Sequence, residues 1–119
     1  DRVHLLNRVS NIFDYMRKAE VFVLSSLWEE LGFVIVESAF NNLFVISSNC
    51  PNGPSEFIDK NKCGILFNSN SQESLKNALI HFVNENSKKK IQNKIDAKRK
   101  SRVYTKFHHH LGLVNILKN

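Results

Sequence analysis

Cysteine, proline and glycine are all scarce in this chain, with two Cys, two Pro and four Gly among 119 residues. Cys50 and Cys63 lack CxxC spacing and are too few to staple a small secreted scaffold, so they read as free thiols of a reducing, cytosolic compartment. The five histidines form no HExxH and no Cys/His set, so no zinc site is expected; His108, His109 and His110 read as a cluster on a helix surface. No stretch approaches the roughly 20 apolar residues of a membrane span. Neither GxGxxG nor GxxxxGK[ST] occurs, which argues against a dinucleotide fingerprint and a P-loop. No secretory pattern opens the sequence, and the start at Asp1 without an initiator Met leads to the expectation of a fragment.

What is present is enough for a core. A hydrophobic share of 42% is that of a globular chain, and the length suits one domain or part of one. The formal net charge of +6 is concentrated. Between Lys88 and Lys106 there are nine Lys/Arg and a single acid, Asp96. Such a run fits a solvated helical face, an anionic membrane surface or nucleic acid. Nucleic acid fits least, because no stacking aromatic interrupts the charges from Lys88 to Arg102.

Two near-identical apolar runs set the organisation. "AEVFVLSS" (19–26) and "NLFVISSN" (42–49) each read as a strand buried on both faces and ending in two serines. The segment between them is long enough for a crossover helix, which makes a βαβ unit. Residues 33–42 are therefore expected to be helical despite Val34, Ile35 and Val36, with Gly32 at the tight turn before them. Here tertiary context overrides propensity. Elsewhere, Val3–Leu6 is a short strand candidate, and Ser10 is expected to cap a helix to Lys18 with Ile12, Phe13 and Met16 inward. Pro54 starts a short helix, and "CGILF" (63–67) reads as a further strand. Asn70 with Glu73 marks an N-cap for the amphipathic set Leu75, Ala78, Leu79, Phe82 and Val83. Residues 87–102 and 105–118 read as helices. The expected fold is α/β, a Rossmann-like open parallel sheet with helices on both faces. Residues 1–86 are expected to form part of a Rossmann-like domain, and 87–119 a basic helical segment of that same domain.

In such sheets ligands bind beyond the carboxyl ends of the strands. The loop after Ser25-Ser26 carries Trp28, Glu29, Glu30 and Leu31 to Gly32, and the loop after Ser47-Ser48 carries Asn49 to Pro54. A helix N-terminus behind Gly32 presents free N–H groups to a phosphate. Glu29 and Glu37 can accept hydrogen bonds from sugar hydroxyls on either side of it. That combination describes a nucleotide-diphosphate sugar. The same residues also allow a plain structural reading, with Glu29 capping the helix and Glu37 paired to a surface lysine.

The stretch from "AEVFVLSSLWEELGFVIVE" through "NGPSEFIDKNKCGILF" resembles the donor-side signature of family 4 retaining glycosyltransferases, which have the GT-B fold of two Rossmann-like domains. The match is Glu29-x7-Glu37 with Gly32 in place and Leu31 where Phe is commoner, then Gly53-Pro54-Ser55-Glu56, then Gly64-Ile65-Leu66-Phe67. It covers roughly residues 3 to 85. The resemblance implies that Glu29, the catalytic candidate, holds hydroxyls of the transferred sugar. Leu31, Gly32, Phe33 and Val34 would lend backbone N–H groups to sugar and diphosphate, and Glu37 would bind the ribose. Gly53, Pro54 and Glu56 would organise the second loop. Glu30 and Ser38 match no functional position.

The resemblance further implies a UDP- or GDP-sugar donor, no metal or other cofactor, and a glycan or lipid-linked acceptor, as in bacterial surface polysaccharide synthesis. An acceptor-binding N-terminal domain and an upstream Arg and Lys are also implied. Arg2, Arg8 and Arg17 do not match that pair, so the chain alone is expected to be inactive or to bind donor weakly. The expected location is cytoplasmic, with peripheral attachment to an anionic inner membrane face through the basic run. Two alternatives stay open at this point, a non-catalytic nucleotide- or protein-binding domain and a basic nucleic-acid-binding module.

Overall fold

The computed structural model describes residues 2–30, 32–60 and 62–117. In chain order the elements are α1 (Ile12–Lys18), β1 (Val21–Leu24), α2 (Phe33–Phe40), β2 (Phe44–Ser48), α3 (Gly53–Ile58), β3 (Ile65–Phe67), α4 (Gln72–Asn84) and α5 (Ser87–Ser101). A 3-10 turn (Arg102–Tyr104) and α6 (Lys106–Leu117) follow. The three strands form a parallel sheet in the order β1-β2-β3, with Val21 opposite Phe44 and Ile46 opposite Ile65. The expected α/β fold with crossover helices is therefore present.

β2 is central, and all five of its residues are buried. Alternation of side chains along a strand divides them between two layers. Val45 joins Ile35, Ala39, Phe57, Ile58, Cys63 and Ala97 under α2, α3 and α5. Phe44 and Ile46 face the other way and join Phe67, Ala78 and Phe82 under α4, where the Phe44 and Phe82 rings lie 4.9 Å apart. Helices thus cover both faces. Burying a side chain such as Ile35 completely contributes about 2–3 kcal/mol. This is how Val34, Ile35 and Val36 come to be helical, since α2 places Ile35 and Ala39 in the core while Phe33 and Glu37 face out.

Expectations for four segments are corrected. β1 is only half-buried, with Val23 exposed, because α4 packs on β2 and β3 and leaves that face of the edge strand open. Val3–Leu6 is not a strand; Val3, Leu5 and Leu6 are exposed, and among the described residues no ladder lies beside them to satisfy a strand's backbone. The N-cap of α1 is Asn11 and not Ser10, and only Met16 is buried while Ile12 and Phe13 are exposed. The N-cap of α4 is Ser71, whose hydroxyl accepts from the Ser74 N–H; Asn70 lies one residue earlier with φ of 58°. Leu79 and Val83, expected on the inner face of α4, are likewise exposed.

Both cysteines are free and buried. Among the described residues, no helix is long and apolar enough to cross a membrane, and no cluster of His, Cys, Asp or Glu could hold a metal ion.

Candidate functional site

The loops that leave the carboxyl ends of β1 and β2 are tied together by short polar contacts. The Ser48 hydroxyl donates to the Ser26 carbonyl, joining the two strand ends. The Gly53 N–H donates to the Glu30 carbonyl at 3.0 Å, and the Asn52 amide reaches the Glu29 carbonyl at 3.4 Å. The third strand end is tied in through Asn49. Its N–H donates to the Phe67 carbonyl at 2.8 Å, and its side-chain oxygen accepts from the Ser69 N–H at 2.8 Å. The result is a polar rim along one end of the sheet, where ligands of parallel sheets bind.

α2 opens from this rim. Gly32 is its N-cap, buried and in the left-handed region with φ 63° and ψ 51°. Among the described residues no side chain caps the helix. The Ile35 N–H goes to the Gly32 carbonyl at 2.8 Å, and the N–H groups of Phe33 and Val34 have no side-chain acceptor. Among the described residues the helix cap that the plain structural reading gave to Glu29 is not seen. The Glu29 carboxylate instead accepts from the Ser26 hydroxyl at 2.6 Å in a half-buried position. Glu37 lies further along α2, exposed, and among the described residues it forms no ion pair. The lysine partner of the plain structural reading is thus not seen either. Leu31 lies outside the described residues.

The other predicted residues divide in the same way. Val34 is half-buried, and its carbonyl accepts the Ser38 hydroxyl at 2.7 Å. Phe33 is 60% exposed and faces a groove of about 830 Å³ shared with Val103, Leu113 and Ile116 of the C-terminal elements. Gly53 and Pro54 are buried at the start of α3. Glu56 is exposed on α3, and its carbonyl accepts the Lys100 ammonium, a cation placed at a helix C-terminus. A second groove of about 470 Å³, lined by Phe44, Ile65, His81 and Glu85, sits at the amino ends of β2 and β3, away from the rim.

Sequence reasoning placed the loops but missed the residues that hold them. Ser26 orients Glu29, and Asn52 joins the second loop to the first. The signal for Ser26 was the serine pair that ends each strand. Asn52 gave none beyond its place in a turn, yet its backbone takes φ 72° and ψ −140°. Such dihedrals are costly outside glycine and cluster at functional sites. Away from the rim, burial pushes the Cys63 thiol above its ordinary value. It does the same to the Tyr104 hydroxyl, whose ring lies 5.9 Å from Phe57. Both are core groups behind α3.

Comparison with known proteins defines the class. The family described as Glycosyl transferases group 1 matches residues 1–101, so the chain belongs to that family. It is 40% identical over 58 residues to an uncharacterized glycosyltransferase of Methanocaldococcus jannaschii, a match covering 49% of this chain and 14% of that protein. Over 93 residues it is 33% identical to a Campylobacter jejuni enzyme. That protein is named as an alpha-1,4-N-acetyl-D-galactosaminyltransferase acting on a GalNAc-containing glycan linked to PP-undecaprenol; the match covers 77% of this chain and 26% of the enzyme. The chain therefore spans between a seventh and about a quarter of these relatives' length. In fold it is similar to HepE of Anabaena, solved in complex with UDP. The TM-score is 0.79 at 20% identity, covering 92% of this chain and 30% of HepE.

Proposed function

We propose that this chain is the donor-binding part of a retaining family 4 glycosyltransferase of the GT-B type. The whole protein would transfer a sugar from a UDP- or GDP-sugar to a glycan or lipid-linked acceptor, as in bacterial surface polysaccharide synthesis. The observation that carries the reading is the stitched rim, where Gly53 and Asn52 hold the second loop against Glu29 and Glu30 in front of the uncapped start of α2. The relatives' names support the reaction class, and the Campylobacter enzyme's name supports a lipid-linked acceptor.

In this reading the diphosphate sits at the first turn of α2, where the N–H groups of Phe33 and Val34 and the helix dipole favour negative charge. Gly32 lets the ligand approach the backbone closely. Leu31, which lies outside the described residues, keeps the backbone N–H role that the resemblance implies. Glu29, pre-oriented by Ser26, accepts hydroxyls of the transferred sugar near its reacting carbon. Glu37 accepts the ribose hydroxyls, and Glu56 acts only through the fold of its loop. The chemistry asked of these residues is stabilisation of the leaving diphosphate, which takes the acceptor's proton on the face it leaves. No metal or other cofactor takes part, and an N-terminal domain supplies the acceptor site and further cations.

Isothermal titration of the whole protein, with the proposed N-terminal domain, against UDP- and GDP-sugars tests the reading. One donor class is expected to bind, and Glu37→Ala is expected to weaken it. Undiminished binding by that variant removes the ribose assignment, and no binding of either donor removes the donor site.

A further inference from the structure

The outward face of α5 has a composition that packing does not explain. The helix sits on α2 and α3 through its opposite side, where Ala97 and Ser101 are buried. Lys88, Ile91, Gln92, Ile95 and Arg99 recur at helical spacing and share the solvent side, all of them exposed. Ile91 is 57% and Ile95 42% exposed. Arg102, at the start of the 3-10 turn that follows, is exposed as well. The nearby acid, Asp96, is already engaged. The Gln92 amide donates to its two oxygens at 3.1 and 3.0 Å, and Arg99 stands 3.6 Å away. The face therefore offers an apolar pair framed by cations, with its acid held at the border.

We infer that this face of α5 docks flat on an anionic phospholipid surface. Ile91 and Ile95 enter the boundary between headgroups and acyl chains, while Lys88 and Arg99 meet lipid phosphates. The arrangement is that of an interfacial helix, in which apolar burial and attraction to anionic lipid act together. At 1.5 Å per residue the helix lies along about 22 Å of surface. Duplex nucleic acid would use the cations but not the isoleucines, and this face has no aromatic on which a base could stack. The inference rests on α5 alone and stands or falls separately from the donor reading.

Co-sedimentation of the chain with vesicles tests it, comparing phosphatidylcholine alone with phosphatidylcholine containing phosphatidylglycerol. Binding is expected only to the anionic vesicles and is expected to weaken as salt is raised. Each surface cation contributes about fivefold in partition, so Lys88→Ala/Arg99→Ala is expected to lower it about 25-fold. Ile91→Ser/Ile95→Ser keeps every charge and is expected to lower partition at least about tenfold. Because both isoleucines are exposed, the helix should survive, and circular dichroism checks that it does. Equal binding to neutral vesicles, no binding at all, or unchanged partition of the isoleucine variant overturns the inference. So does a mixed-sequence duplex oligonucleotide that displaces the vesicles and binds the isoleucine variant as well as the parent.

Discussion

Gly64 gives the sharpest test of the sheet register. A Cβ on Gly64 would stand 2.4 Å from the Val45 carbonyl oxygen and 3.2 Å from the Val45 Cβ. Carbon–oxygen contacts between strands sit at roughly 3.3–3.6 Å, so about 1 Å would have to be found. The obstacle is backbone of the central strand, held on both sides by β1 and β3. Moving β3 away by that distance would stretch ladder bonds beyond useful length. Two or three bonds lost in a buried sheet, each leaving groups unsatisfied, cost about 3–5 kcal/mol. For a chain of this size that lowers Tm by about 12–20 °C. Gly32→Ala is the internal control. Its new Cβ would meet the Ile35 side chain at ordinary contact distances, Cδ1 at 3.4 Å and Cγ1 at 3.8 Å, and the φ of 63° costs about 1 kcal/mol. Thermal and urea unfolding followed by circular dichroism should place Gly64→Ala far below Gly32→Ala. If Gly64→Ala unfolds within 1 °C of the parent, or above Gly32→Ala, the β2–β3 register is wrong.

Three further outcomes follow from single contacts. Ser26→Ala removes the hydroxyl that donates to Glu29, and in a half-buried place this costs about 1 kcal/mol. In the proposed site it also weakens donor binding several-fold, and no change in either urea midpoint or titration would remove Ser26 as a support. Asn52→Gly relieves a backbone conformation that favours glycine and gives up only a long contact to the Glu29 carbonyl, so it is expected to stabilise by about 1 kcal/mol. A loss of stability in urea would show that the amide contact outweighs the strain. Alkaline stability follows from Cys63 and Tyr104, whose acidities burial moves above 9.0 and 10.0 respectively. The unfolded chain releases these protons first, so the stability they support is intact below the unfolded values and lost as pH rises towards the folded ones. Cys63→Ala is expected to flatten the decline above pH 9.0, and an unchanged slope in urea midpoints against pH would refute the assignment.

Sequence reasoning went furthest where chain geometry leaves few options. Two similar apolar runs with a crossover between them place parallel strands at 21–24 and 44–48, and that pairing made a helix of a β-branched segment. The candidate loops followed, because strand ends and loops are read from the same letters. Local signals failed where they depend on a neighbour. Val3–Leu6 has a strand's composition but no ladder beside it among the described residues. The caps at Asn11 and Ser71 fell one residue from the letters that suggested them, because a cap is set by where the backbone first turns. The Ser26–Glu29 bond needs a loop that folds back within three residues, and no periodicity reports that.

The two carboxylates singled out by the sequence are not equivalent in the fold, and the difference bears on how a donor would be held. Glu29 is half-buried, bonded to Ser26, and sits in a backbone tied to the second loop through its own carbonyl and that of Glu30. A group held in this way gives up little freedom when it accepts a ligand hydroxyl. Glu37 is exposed and forms no ion pair among the described residues, so ordering it would cost part of what its hydrogen bonds contribute. The rigid carboxylate stands in the loop before the uncapped helix start, and the free one stands further along that helix. In the proposed site this places precision at the sugar being transferred, where misplacement costs rate. It leaves tolerance at the ribose, where only binding is at stake.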